Sequence, residues 1–380
     1  MISPQTFYDK LEENGVNFVV GVPDSLLKDF CAFADSVLPS DRHIIAANEG
    51  SAIAIAAGVQ MSTSGLPLVY LQNSGLGNTI NPLLSLVDIE VYSVPMILLI
   101  GWRGEPGIKD EPQHIKQGRV TESILVSMEV PYITLTGEIE SDFESISFIV
   151  QKAKESSGPV AILVKKDVFS SFKSDKTTNN DVLATLTREK AIELVTTKLP
   201  NNTPVISTTG HISRELYEQR SRLNQSHNSD FLTVGGMGHC SQIALGISLF
   251  KKNNHIVCLD GDGAILMHMG GMATIANFGP GKLIHIILNN GVHDSVGGQP
   301  TVANSISLTG IAKSCGYKHV FGPLYTEIDI VKTVTASFNL NGPIFIEIRI
   351  KSGARKDLGR PKESPLMNKN DFINELSKLS

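Results

Sequence analysis

The sequence predicts an α/β protein built from two doubly wound parallel-sheet domains. Three observations carry that expectation. Apolar runs of strand length alternate with longer helical patterns through most of the chain, one polar segment near the middle interrupts them, and several of the runs end in glycine-rich turns. In open parallel sheets such strand ends are where ligands gather.

The elements follow in order. The chain opens on "MISPQTFYDKLEENG", polar and amphipathic, without the basic and apolar regions of a secretion signal. Strand-like runs come next at "NFVVGVP", "LPLVYLQNSG", "VPMILLIGW" and "GPVAILVKK", and "IIAANEGSAIAIAAGVQ" carries a helical pattern between the first two. Short apolar runs separated by helices read as parallel strands covered on both faces. They place a first domain over residues 1–170. The polar stretch "SSFKSDKTTNND" lacks apolar periodicity and reads as a linker over 171–181. A second series, "REKAIELVTTKL", "TPVISTTG", "DFLTVGGMGHCSQIALGISLF", "HIVCLDGDG", "LIHIILNNG" and "GPIFIEIRI", places a second domain over 182–361 and leaves 362–380 as a C-terminal tail. No short-period repeat is visible.

Bulk properties exclude several classes. At 380 residues the chain exceeds one ordinary core, and 41% hydrophobic with 19% charged residues is the composition of a packed globular protein. A formal charge of −5 offers no general attraction to nucleic acid or to an anionic membrane. An anionic substrate must therefore meet local cations. The apolar runs are too short to span a bilayer, so a cytoplasmic protein is expected. Its four cysteines, Cys31, Cys240, Cys258 and Cys315, form no C-x-x-C pair and show no metal-ligand spacing. They read as reduced and structural.

Two stretches carry the chemistry. In "IVCLDGDGAILMHMGG" Asp262 stands between Gly261 and Gly263 just after an apolar run, with a helix expected to start near Ala264. Glycines there let backbone N–H groups approach an anion, and a helix N-terminus favours phosphate. A bare carboxylate does not bind phosphate directly; it can hold a hard divalent cation that bridges to it. The second stretch, "LIHIILNNGVHDS", offers the Asn290 amide after another run. Mg²⁺ takes about six oxygen ligands, which a carboxylate, an amide oxygen, a backbone carbonyl, phosphate oxygens and water supply together. The separation of the two motifs leaves room for a helix and a return strand, which brings both loops to one sheet edge.

This pairing resembles the thiamin diphosphate enzymes. The resemblance implies thiamin diphosphate and Mg²⁺ as cofactors, with Asp262 and Asn290 as side-chain metal ligands and Val292 giving its carbonyl oxygen. It also implies cofactor contacts from Thr208, Thr209 and Gly210 in "STTGHISRELY", from Gly235, Gly236 and Met237 in "TVGGMGHC", and from Gly261, Gly263 and Ala264. Met237 would be the apolar wedge that holds the two cofactor rings in a V. The family glutamate, which hydrogen-bonds the pyrimidine and drives its tautomerisation, falls on Glu49 in "NEGSAIAIAAG". Small apolar neighbours would raise the pKa of that carboxyl. Asn48 and Glu49 also suit the start of a helix, and both readings can hold.

Further segments narrow the resemblance. "GVPDSLL", "QNSGLGNTINPL", "GWRGEPGIKDEPQHIKQGR", "NNGVHDSVGGQPT" and "GARKDLGRP" are similar to the phosphonopyruvate decarboxylase family over a span from Gly21 to Pro361. The match leaves no room for the middle domain of larger keto acid decarboxylases, so the two domains are expected to be a pyrimidine-binding and a diphosphate-binding one. It implies decarboxylation of 3-phosphonopyruvate to phosphonoacetaldehyde and CO₂ through a thiamin diphosphate ylid, in synthesis of a phosphonate such as 2-aminoethylphosphonate. It further implies a homodimer or higher homo-oligomer with the cofactor between domains of different subunits.

On the substrate side, Asp24 either relays protons and orients the substrate or simply makes a Pro-Asp turn. His114 is the first choice for substrate contact or proton transfer, on the expectation of a pKa near working pH, and His293 the second. Arg103 lies in a segment that also carries Glu105, Asp110 and Glu111, so a solvated mixed-charge loop is the competing reading. Arg355 and Arg360 would close over the phosphonate with bidentate geometry, or belong to a disordered basic tail. Sulfopyruvate decarboxylase, with nearly the same motifs, is the alternative substrate class. A noncatalytic binding protein that keeps the fold is the alternative of another kind; it would be expected to have lost Glu49, Asp262 or Asn290, and all three are present.

Overall fold

The computed structural model describes residues 1–174 and 183–379. The chain divides into two compact units, Met1–Thr177 and Thr178–Ser380. Of the expected linker, residues 175–181 lie outside the described residues.

The first unit holds β1 (Val16–Gly21), β2 (His43–Ile45), β3 (Leu66–Gln72), β4 (Met96–Gly101), β5 (Tyr132–Leu135) and β6 (Pro159–Val164). All pair in parallel, in the order β2-β1-β3-β4-β6-β5. The second unit holds β7 (Val205–Ser207), β8 (Asp230–Leu232), β9 (Ile256–Gly261), β10 (Leu283–Asn289), β11 (His319–Leu324) and β12 (Ile344–Arg349). These too are parallel, in the order β8-β7-β9-β10-β12-β11. Counted within each unit, the two orders are the same.

Why these runs become central strands is visible in their packing. Successive side chains of a strand point to opposite faces, so a strand covered on both sides must be apolar at every position. In β3, Leu66, Leu68 and Tyr70 enter one core while Val69 and Leu71 enter another. In β10, Ile284, Ile286 and Leu288 face one core and Leu283 and Ile287 the other. Helices complete each layer. Glu49–Thr63 begins on Asn48, whose side chain accepts from Ser51 N–H at 2.9 Å, as the sequence suggests.

Three strands lie outside the sequence reading, β2, β5 and β11, and all are sheet edges. Their half-exposed residues, with Gly322 and Pro323 inside β11, do not make the continuous apolar run that marks a central strand. The segment expected as a tail over 362–380 carries a helix, Pro365–Ser377, with Phe372 buried. Its Asn368 donates to Asp230 C=O at 2.8 Å and accepts from Leu232 N–H at 3.0 Å, occupying the open edge of β8. Among the described residues no helix is long and apolar enough to cross a membrane.

Candidate active site

In the first unit the strand order reverses between β1 and β3, and the candidate residues sit beyond the carboxyl ends of these strands and their neighbours. Asp24 follows β1, Glu49 follows β2, the segment Asn73–Asn78 follows β3, and Arg103 follows β4. Glu49 is 6% exposed, and burial raises its pKa above that of an ordinary glutamate. One oxygen accepts from Asn78 Nδ2 at 2.7 Å. The other lies so near Gly75 that a Cβ on that residue would stand 2.4 Å from it and force the Glu49 side chain to shift. Gly75 therefore shapes the seat of the carboxyl, and nothing in the sequence pattern alone marks it for that role.

The remaining candidates of this unit are placed differently from their expectation. Asp24 has no exposed surface: its carboxylate accepts from Leu26 N–H at 3.0 Å, Leu27 N–H at 3.2 Å and the Gln72 amide. That geometry is the turn reading, with Asp24 turned inward to satisfy the loop that enters the helix Lys28–Val37. Arg103 is held by both oxygens of Asp110 and donates to Ser25 Oγ at 2.7 Å, so its charge is matched inside its own loop. Burial first, and then the Arg103 charge, lower the pKa of His114 from the ordinary histidine value, away from the working pH expected of it. Its buried Nδ1 has no partner among the described residues.

The second unit repeats the arrangement with other chemistry. Thr208–Gly210 follow β7, Gly235–Met237 follow β8, Asp262 follows β9 and Asn290–Val292 follow β10. A pocket at this edge is lined by Thr208, Thr209, Met237, Gly261, Asp262, Gly263, Ala264, Asn290, Val292 and His293 among others. Gly210 adjoins it at the start of the helix His211–Arg222, whereas Gly235 and Gly236 form the exposed turn that leads to Met237. The helix expected near Ala264 starts two residues earlier, at Asp262, because Gly261 already serves as its cap.

Asp262 is 2% exposed, and burial raises its pKa to about 6 against hydrogen bonds from Thr301 and the Asn290 backbone. Thr301 Oγ1 donates to it at 2.6 Å. Asn290 Oδ1 accepts from Val292 N–H at 3.1 Å. Two buried polar atoms of the pocket lining, Thr208 Oγ1 and His211 Nδ1, have no partner among the described residues. Buried polar groups left open are costly unless something else satisfies them. A buried carboxylate, an amide oxygen and open donors at one sheet edge suit an anionic group carried with a hard cation. Gly263 keeps this edge narrow: a Cβ there would meet His293 Nδ1 at 3.1 Å.

His293 lies in the wall of this pocket, and burial pushes its pKa down to about 4, so it is a neutral group rather than a cation. Arg355 is engaged by carboxylates of its own unit. Glu189, Glu218 and Asp357 surround its guanidinium. Arg360 is exposed on the same segment, which Arg214 binds through the Leu358 and Gly359 carbonyls. "GARKDLGRP" is thus a strap fastened to its own unit. Four polar lining residues, Arg188, His211, Asp294 and Ser295, lie outside the sequence reading. His211, Asp294 and Ser295 stand within the motifs that carry the resemblance; Arg188 carries no local signal.

Fold and site together define a thiamine pyrophosphate (thiamin diphosphate) enzyme. Residues 4–123 match the model of the "Thiamine pyrophosphate enzyme, N-terminal TPP binding domain", and residues 208–348 match the "Thiamine pyrophosphate enzyme, C-terminal TPP binding domain". More particularly, the chain belongs to the phosphonopyruvate decarboxylase family. It is 33% identical over 367 residues to a phosphonopyruvate decarboxylase of Streptomyces viridochromogenes, covering 92% of this chain and 89% of that one. With one from Streptomyces hygroscopicus it shares 35% identity over 383 residues, 96% of this chain and 92% of the relative. A sulfopyruvate decarboxylase of Methanosarcina acetivorans is 27% identical over 341 residues, 81% of each chain.

Proposed function

We propose that this protein decarboxylates 3-phosphonopyruvate to phosphonoacetaldehyde and CO₂, using thiamin diphosphate anchored through Mg²⁺. The observation that carries the reading is the edge of the second sheet, where Asp262 and Asn290 converge with the unpartnered Thr208 Oγ1 and His211 Nδ1 in one pocket. Its substrate comes from the family, whose members at 33% and 35% identity are phosphonopyruvate decarboxylases, above the 27% of the sulfopyruvate enzyme.

Thiamin diphosphate, when bound, supplies the electron sink for the negative charge left by CO₂ loss. The chain supplies the rest. Asp262, Asn290 and the Val292 carbonyl would hold the cation, Thr208, Thr209 and the Gly210 turn would receive the diphosphate, and Met237 would be the apolar support for the rings. Glu49, whose pKa burial raises, would hydrogen-bond the pyrimidine ring nitrogen through its protonated form. His114, its pKa lowered by burial and its Nδ1 open, and the tethered Arg103 are assigned to the substrate side. Asp24 acts through the loop that places Ser25 against Arg103. The working unit is a homodimer or larger homo-oligomer in the cytoplasm, a location in keeping with four free cysteines.

The test is a direct assay of the purified protein with thiamin diphosphate and Mg²⁺ on phosphonopyruvate, sulfopyruvate and pyruvate, with mass measured by light scattering. A kcat/KM preference for phosphonopyruvate is expected. Preference for sulfopyruvate would overturn the substrate, and no turnover of any of the three would leave a binding protein on the same fold.

A further inference from the structure

We propose that Asp294 is a positioning residue for the metal ligand Asn290, and that it ties the metal-binding loop to the strap that follows β12. The inference rests on the cofactor reading above.

An asparagine amide has two nearly isosteric ends, of which only the oxygen can coordinate a cation. Something must decide which end faces the metal. Asn290 Nδ2 donates to Asp294 Oδ2 at 2.7 Å. An ionised carboxylate only accepts, so the nitrogen is fixed on the Asp294 side and Oδ1 on the other. That oxygen takes one hydrogen bond, from Val292 N–H, and keeps a lone pair for a ligand. Without Asp294 only the Val292 N–H contact is left to select the orientation.

Asp294 can perform this role because it is itself held from two further directions. Arg188 Nη1 donates to its Oδ2 at 2.9 Å, and Gly353 N–H approaches its two oxygens at 3.1 and 3.0 Å. Arg188 is in turn clamped by both oxygens of Glu215, at 2.9 and 3.0 Å. One guanidinium is shared between two carboxylates next to the proposed cation. Stretches far apart in sequence, at 188, 294 and 353, meet at this one side chain. An aspartate so anchored cannot swing across to become a metal ligand. It acts on the cation only through Asn290, as carboxylates behind ligating side chains do elsewhere.

The experiment is a calorimetric titration of Mg²⁺ into the full-length protein at saturating thiamin diphosphate, beside a thermal melt. Asp294→Ala should raise the Mg²⁺ dissociation constant about 10–100-fold. Asp294→Asn keeps an acceptor oxygen and should weaken Mg²⁺ less. Glu215→Gln loosens the Arg188 clamp one contact further from Asn290; it should lower Tm and raise the dissociation constant less than Asp294→Asn does. If Asp294→Ala does not fold, Asp294→Asn against Glu215→Gln carries the comparison. Equal weakening in those two, or Asp294 variants that lose Tm with unaltered Mg²⁺ affinity, would overturn the inference while the cofactor reading stands. A wild-type protein that takes up no Mg²⁺ would bring down both.

Discussion

The two sheets share one strand order, yet their carboxyl edges do opposite things with buried polar groups. In the first unit the key group is an acid placed where water is scarce: Glu49 is buried, with one neutral amide on it and a glycine cut away around it. In the second, open polar atoms and an acceptor-rich cluster stand around a pocket. Desolvation is the main event at one edge, and unmet coordination at the other. The same backbone plan therefore supports proton chemistry or ion holding according to which side chains follow the strands.

The largest predicted effect breaks the first edge. Glu49→Gln keeps size and most of the packing but removes the exchangeable proton, so kcat should fall by about 10²–10⁴-fold while thiamin diphosphate still binds. Near-normal turnover would remove Glu49 from the chemistry. Breaking the second edge gives the contrary pattern. Asp262→Ala should abolish Mg²⁺-dependent cofactor uptake in a titration followed by calorimetry, and uptake equal to wild type would refute the assigned site.

Most of the second edge was legible in the sequence, and less of the first. Asp262 and Asn290 stand in turns directly after central strands, where strand burial makes an uninterrupted apolar run that a polar residue visibly ends. His114, Arg103 and Arg355 were legible only as residue types. What decides their chemistry is a partner set by tertiary contact: Asp110 around Arg103, and Glu189 and Glu218 around Arg355. Charged residues within a mixed run give no sign of which pairs will close. The edge strands β2, β5 and β11 escaped for a related reason, since half their residues need not be apolar.

A smaller change sharpens the first edge. Gly75→Ala places a methyl 2.4 Å from Glu49 Oε1, which must move or displace the turn. Overpacking of this kind costs about 1–3 kcal/mol, and turnover should drop more than cofactor affinity because the carboxyl shifts rather than vanishes. Turnover equal to wild type would show that the Glu49 seat tolerates displacement.

The smallest effect separates the edges by pH. Burial raises the pKa of Glu49 in the folded protein above its value in the unfolded chain. Between those two values the folded state binds the extra proton, so stability falls as pH rises through the window and levels off above the folded pKa. Glu49→Gln has no proton to lose. Its melting temperature in the absence of cofactor should match wild type in acid and exceed it by a few degrees at alkaline pH. The residue that makes the protein active would then be one that makes it less stable, as expected where a site holds an acid against its solvation. A constant difference across the pH range would mean that the carboxyl is not desolvated in solution, and the contrast drawn between the two sheets would fail at its first edge.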